Sequence, residues 1–381
     1  MTPMPQALVL WAVADDAELA ALQLIAAEFS RTSGTPVSIL PRPADALRLS
    51  LATAALVGDP LPDLLWGDQE ALAGLIVDRR IQSLPDSLIP DDTLPALLTS
   101  ATTEGQIWGL PVTAGGTLLL LYNQEFVAEP PTTSDAFIMS AQAESTPEVA
   151  GLVMGWNETY WTLPWLYAFG GAPTTPDGQT ITLDTPVMTP TLSLLRELYR
   201  AAPKNGDSYA RGQRLFTQGY ASFAIDGDWA IERYRTFSDT LTLGIAPLPV
   251  VTATGRPAIP PLRGNYLMVS SELRGTARER ALAFAEAMTD PAHQARLAQA
   301  GRRLPATVRA QQLLDLDADP VMAIAAATAA KAPGLPPTPA ARCALYGMAV
   351  WLPSVLRDDL KVAEAPLRMQ REAEACLSRQ E

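Results

Sequence analysis

Carboxylates close to flat aromatic faces carry most of the chemistry this sequence offers. The stretch from Gly155 to Gly171, GWNETYWTLPWLYAFGG, gathers Trp156, Tyr160, Trp161, Trp165, Tyr167 and Phe169 in a chain whose aromatic content is only 7%. Glu158 and Tyr160 are the pair of interest. A carboxylate accepts hydrogen bonds from hydroxyl groups, and a phenol ring covers the apolar C–H face of a sugar while its O–H donates. The local signals predict one short helix: Asn157 is a good N-cap, Glu158 follows where a carboxylate favours the helix dipole, and Gly170-Gly171 supplies the stop. Trp161, Trp165 and Phe169 recur at helical spacing and form its buried stripe, with Trp156 packing on Trp161 as a staple. The competing reading is that Glu158 only complements the dipole and Tyr160 is core.

The elements that must position this pair follow from periodicity. Residues 7–13 read as a buried strand, 17–32 as a helix with Leu19, Leu22, Leu24, Ile25 and Phe29 inward, 36–40 as a strand, 44–56 as a helix and 63–66 as a strand. That alternation predicts a parallel sheet with helices on its faces, and such sheets bind ligands beyond the carboxyl ends of their strands. The rule puts Asp15, Asp16, Trp66, Asp68 and Glu70 on one rim. Further on, strands at 106–111 and 117–122 bracket Ala114-Gly115-Gly116, where the backbone either bends as a hinge or approaches a ligand. A strand at 221–225 runs into Asp226-Gly227-Asp228-Trp229, which places Asp228 and Trp229 at a strand-to-helix turn, with core packing as the rival role for the indole. Asn265 opens a strand to 270. Trp351 lies in a helix at 345–360 that Pro353 should kink or end.

Composition narrows the classes. A chain of 381 residues suggests two domains, and a net charge of −13 argues against nucleic acid, because phosphate binding needs clustered Lys and Arg. There is no apolar run long enough to span a membrane. Met1 to Gln6 is too short and polar for a signal peptide, so an exported chain would have shed its signal. Cys343 and Cys376 could bridge in an oxidising compartment or remain two isolated thiols. The single histidine, His293, is expected at the surface, which removes Ser-His-Asp and Cys-His catalysis and histidine-based metal sites. No phosphate loop or dinucleotide fingerprint is present. No catalytic residue, cofactor or metal is therefore assigned. An enzyme would have to use carboxylates alone, as glycoside hydrolases do with a pair ~5 to 9.5 Å apart; Asp68 or Glu70 facing Glu158 would be that pair.

Five segments in order, PDLLWGDQEALAGLIVDRRIQSL (62–84), GQIWGLPVTAGGTLLLLYNQEFV (105–127), ASFAIDGDWAIERY (221–234), LGIAPLP (243–249) and AFAEAMTDPAHQARLAQAGRRLPA (283–306), resemble extracellular solute-binding proteins of the maltose-binding type. The resemblance covers nearly the whole chain. It implies an α/β fold of two lobes, each a mainly parallel sheet flanked by helices, joined by a hinge, with 1–111 and 263–310 in one lobe and 112–262 and 311–381 in the other. It implies closure on a di- or oligosaccharide and delivery to the membrane permease of an ABC importer. An exported monomer follows, periplasmic or extracellular, with a lipid anchor at the outer membrane face as one option.

Carried over position by position, the resemblance assigns ligand contacts to Asp15, Glu70, Glu158, Tyr160, Trp229 and Trp351. The sequence departs from the family's pattern at three contact positions: Ala71 replaces an arginine, Asp16 a lysine and Gly115 a glutamate. Asp68, Asp228, Arg263, Asn265 and Arg303 are the available substitutes, Asp68 foremost. Two alternatives to a sugar receptor stay open, a carboxylate-only glycoside hydrolase and a noncatalytic domain of the same fold with a non-sugar ligand.

Overall fold

The computed structural model describes residues 7–43, 46–203, 208–236 and 241–379. Met1–Gln6 and Ala44, where periodicity starts the second helix, lie outside them. The chain divides into two compact units, one of residues 1–115, 262–330 and 334–337, the other of 116–261, 331–333 and 338–381. Residues 311–330 thus belong to the first unit and not, as expected, to the second. The reason is helix Pro320–Ala329, which packs on strands Leu304–Pro305 and Leu110–Gly115.

The first unit is a mixed sheet. Strand Leu8–Ala12 pairs in parallel with Val37–Pro41 and Leu64–Asp68, the expected βαβ start. Arg263–Ser270 then pairs antiparallel with Leu64–Asp68, Leu110–Gly115 and the short strand Ile81–Gln82, and Leu304–Pro305 adds antiparallel to the edge. So the sheet is not mainly parallel: a strand that enters after the chain has built the other unit is free of the crossover helix that forces parallel pairing. Alternation along the strands serves both faces. Leu10, Leu64, Trp66 and Leu267 point into one core with helices Asp16–Ser33 and Gly275–Ala287, where Phe29 and Phe284 meet edge to face at 5.2 Å. Trp11, Leu65, Tyr266 and Met268 point into the other with helices Leu47–Val57 and Gln69–Val77.

In helix Asp16–Ser33 the inward stripe is Glu18, Ala21, Leu22, Ile25, Ala26 and Phe29, whereas Leu24, expected inside, is 57% exposed. Leu24 lies off the centre of the 18–22–25–29 face by about 130° of helical turn, so its hydrophobicity misleads and its position decides.

The second unit holds a four-stranded sheet in the order Leu243–Ala246, Leu118–Asn123, Ala221–Gly227, Ala150–Val153, with only the last pair parallel. Here too the expectation of a mainly parallel sheet gives way to antiparallel pairing, between strands distant in sequence. Its core takes in Leu120, Leu152, Phe223 and Ile225 from the sheet together with Trp156, Trp161 and Trp165. Helix Ser134–Ala143 is capped by Thr133, whose hydroxyl accepts from the Ala136 N–H. Helix Pro339–Leu356 begins six residues before its expected start and runs three residues past Pro353. A disulfide joins Cys343 to Cys376, fastening that helix to Ala365–Ser378.

Candidate functional site

In the first unit the carboxyl ends of the strands carry a charged rim. Arg263, on the first residue of its strand and opposite Gly115, donates from Nη2 to Glu70 at 2.8 Å and lies 3.6 Å from Asp68. Glu70 is largely exposed and Asp68 half so. Asp68 also caps helix Gln69–Val77, its Oδ1 accepting the Ala71 N–H at 2.9 Å. Asp15 does the same for helix Asp16–Ser33 through the Glu18 N–H at 2.8 Å. These two aspartates hold helix N-termini; Asp15 stays exposed, and Asp68 turns its other oxygen toward Arg263.

Three expected contacts of this unit are structural. Trp66 is fully buried in the sheet core, because at its strand position the side chain points inward. Asn265 is 4% exposed and spends its amide on Glu18, Nδ2 to Oε1 at 2.7 Å. Gly115 is buried as the last residue of its strand. Glu18, which the sequence gives no reason to select, is a buried carboxylate; burial pushes its pKa up, against the Arg303 guanidinium and the Asn265 amide. His293 is tucked in rather than at the surface, Nδ1 at 2.8 Å from the Ala287 carbonyl and Nε2 at 3.1 Å from Glu28.

In the second unit the aromatic stretch breaks into a 3₁₀ turn, Thr159–Trp161, and a helix, Leu163–Ala168. Asn157 caps neither, and Trp156 packs edge to face on Tyr199 at 5.1 Å. The reason is Pro164: it favours the first turn of a helix, so the regular helix starts beside it and the residues before it wind more tightly. Glu158 stands exposed ahead of the turn. Tyr160 is half-buried, and its one O–H is shared between the carbonyls of Gly116 and Pro261. The phenol is thereby committed to the backbone, leaving its ring as the usable surface.

Asp228 likewise serves the backbone, accepting the Gly116 N–H at 3.3 Å and the Thr117 N–H at 3.0 Å. Trp229 is different. Although it sits among other rings, 6.4 Å from Tyr160 and 6.1 Å from Trp161, the indole remains 45% exposed. A large aromatic held by neighbours yet open on one side presents an apolar face to its surroundings.

Trp351 is less open than Trp229. It packs against the unit's core, the Arg368 guanidinium lies over its ring at 5.0 Å, and its buried indole nitrogen finds no hydrogen-bond partner. One helical turn earlier and a little more, Tyr346 is the aromatic that helix Pro339–Leu356 exposes. Sequence reasoning also missed Tyr209 and Asp226. Asp226 is 2% exposed in strand Ala221–Gly227, where it accepts hydrogen bonds from Tyr209, Tyr234, Gln213 and the Gly227 N–H. Burial raises its pKa against those donors. Asp226 shares a strand face with Ser222 and Ala224, opposite the core residues Phe223 and Ile225, so alternation alone gave no signal of its burial.

Among the described residues no cluster of side chains is suited to hold a metal ion, and no helix is long and apolar enough to cross a membrane.

The chain thus consists of two α/β units built from interleaved chain segments, one with a polar rim and one with an open aromatic. The family of bacterial extracellular solute-binding proteins matches residues 10–327, and this chain belongs to it. It is 25% identical over 272 residues to a maltotriose-binding protein of Pyrococcus abyssi, a match that takes in 68% of this chain and 57% of that relative's length. Its fold is that of a cyclo/maltodextrin-binding protein complexed with maltotetraose, at a TM-score of 0.85 with 19% identity over 98% of each chain. It is also that of the maltose/maltodextrin-binding domain of Bdellovibrio bacteriovorus bound to maltotriose, at 0.76 with 23% identity over 97% of this chain and 99% of the other.

Proposed function

We propose that this protein is the sugar-binding receptor of an ABC importer, taking a di- or oligosaccharide outside the cytoplasmic membrane and handing it to a membrane permease. The observation that carries the reading is Trp229, an indole braced by Tyr160 and Trp161 yet 45% exposed, with the open carboxylate of Glu158 two residues from Tyr160. The ring supplies an apolar face for C–H groups and the carboxylate accepts hydroxyls. The family, and relatives described as binding maltotriose and maltodextrins, support a sugar of this class.

In the first unit Asp15, Asp68 and Glu70, with Arg263, supply acceptors and a donor at a strand-end rim. The Arg263 guanidinium, 2.8 Å from Glu70, offers this rim a donor where Ala71 has none. Asp68 and Glu70 frame Arg263 here, and a receptor releases its sugar chemically unchanged. The receptor works as an exported monomer, periplasmic or extracellular.

The test is calorimetric titration with maltose, maltotriose and maltotetraose, accompanied by chromatography of the recovered sugar. Saturable binding with intact sugar supports the reading; hydrolysis, or no binding across the series, overturns it.

A further inference from the structure

The Trp229 indole does not hold its own orientation; a polar hub behind it does. We propose that Tyr209 and Gly227, anchored by Asp226, are positioning residues that fix the plane of Trp229 for stacking on ligand, an inference that rests on the sugar-receptor reading.

The Tyr209 hydroxyl is fully used. It donates to Asp226 Oδ1 at 2.6 Å, and it accepts from Gln213 Nε2 at 2.7 Å and from Trp229 Nε1 at 2.9 Å. One donor and two acceptors exhaust what a hydroxyl offers, so its O–H cannot rotate, and the direction of the indole N–H is set with it. Asp226 fixes the other end. Its Oδ1 also accepts the Gly227 N–H at 2.8 Å, and its Oδ2 accepts from Tyr234 at 2.5 Å and Gln213 at 3.2 Å. Four donors around one buried carboxylate make a rigid centre, and a buried charge so costly to desolvate is poorly explained by stability alone.

Gly227 sets the second constraint. A Cβ there would fall 2.1 to 2.3 Å from Cζ3, Cε3 and Cη2 of the Trp229 ring, so the six-membered ring rests where a side chain would be. The Tyr209 ring in turn lies 5.0 Å from Trp161, whose own indole N–H donates to the Ile225 carbonyl at 2.7 Å and whose edge meets Trp229. The indole is thus stopped by a backbone on one side, by rings on another and by a hydrogen bond at its nitrogen, while its outer surface stays open. A platform frozen before the ligand arrives loses less conformational entropy on binding, which is the advantage of preorganisation.

The experiment uses the full chain and two readouts. Near-ultraviolet circular dichroism of the ligand-free protein reports whether the indole keeps its fixed surroundings, and calorimetric titration with maltotriose reports affinity. Tyr209→Phe keeps the ring and leaves Asp226 three donors; Gly227→Ala leaves the hub intact and displaces the indole directly. Both are expected to alter the same tryptophan band that Trp229→Ala removes, with far-ultraviolet spectra unchanged. They should weaken maltotriose binding about fivefold and about tenfold respectively.

An unchanged tryptophan band in both variants, or full affinity in both where Trp229→Ala has lost it, overturns the positioning role. Full affinity in Trp229→Ala itself overturns the sugar site, and the stacking role with it; the ligand-free spectra then still show separately whether the hub holds the indole.

Discussion

Arg263 and Glu70 stand 193 residues apart in the chain and meet at 2.8 Å, guanidinium to carboxylate. The register that brings them together is that of Arg263–Ser270 along Leu64–Asp68, where Asn265 opposes Asp68. Glu70 is mostly exposed, and pairs of that kind contribute at most about 1 kcal/mol to stability. Arg263→Ala should therefore move the melting temperature little, yet weaken maltotriose binding about tenfold by removing the rim's donor. Thermal melts and titrations made side by side check this; a large loss of stability with unchanged affinity would make the pair a structural clip.

The open aromatic and the covered one should behave differently. Trp229→Ala and Glu158→Ala are each expected to weaken sugar binding at least tenfold, about 1.4 kcal/mol or more. Trp351→Ala should leave affinity within about twofold, because Arg368 already occupies its ring face. Titration of the three variants with one sugar decides it, and equal losses in Trp229 and Trp351 would contradict the placement of the site.

Glu18 gives the stability a pH dependence whose sign can be worked out. Burial raises its folded pKa above the ordinary 4.5, so the native state holds this proton more tightly than the unfolded chain. Its contribution is complete below the unfolded value and is lost as pH rises through the folded one. Glu18→Gln can still accept from Asn265 and does not ionise. Urea midpoints of the wild type minus the variant should fall as pH is raised from about 4 toward neutrality. Parallel curves would mean that Glu18 is not desolvated.

The Cys343–Cys376 bridge closes a loop with a sequence separation of 33. Linking a segment of that length restricts the unfolded chain and is worth about 2 to 4 kcal/mol. The double replacement Cys343→Ser with Cys376→Ser should lower the melting temperature of the second unit by several degrees and leave sugar affinity nearly unchanged. Calorimetry with and without reductant checks it, and a melting temperature insensitive to both would show that the helices are held by packing alone.

How far the site was legible depended on the kind of signal each residue gave. Asp15, Asp68 and Glu70 could be placed because strand ends followed by helix starts are local patterns, and the sequence shows both. Trp66 and Asn265 share those ends but point inward, and their burial follows from the pairing of Leu64–Asp68 with Arg263–Ser270, strands some two hundred residues apart in the chain. The parallel bias expected of both sheets failed for the same reason. Trp351 enters the site through the resemblance alone; which face it occupies depends on the packing of Ala365–Ser378, which brings Arg368 over it. Asp226 was read as part of a turn, because an acidic residue at a strand end looks solvent-facing until the phenols of Tyr209 and Tyr234 converge on it.

The measurement that tests the central claim most directly is calorimetric titration of the full chain with maltotriose, run on the wild type and on Trp229→Ala, with the sugar recovered and analysed afterwards. The account predicts saturable one-site binding by the wild type, at least tenfold weaker in the variant, and intact maltotriose in both. Equal binding by the two proteins, or conversion of maltotriose to shorter sugars by the wild type, would contradict it.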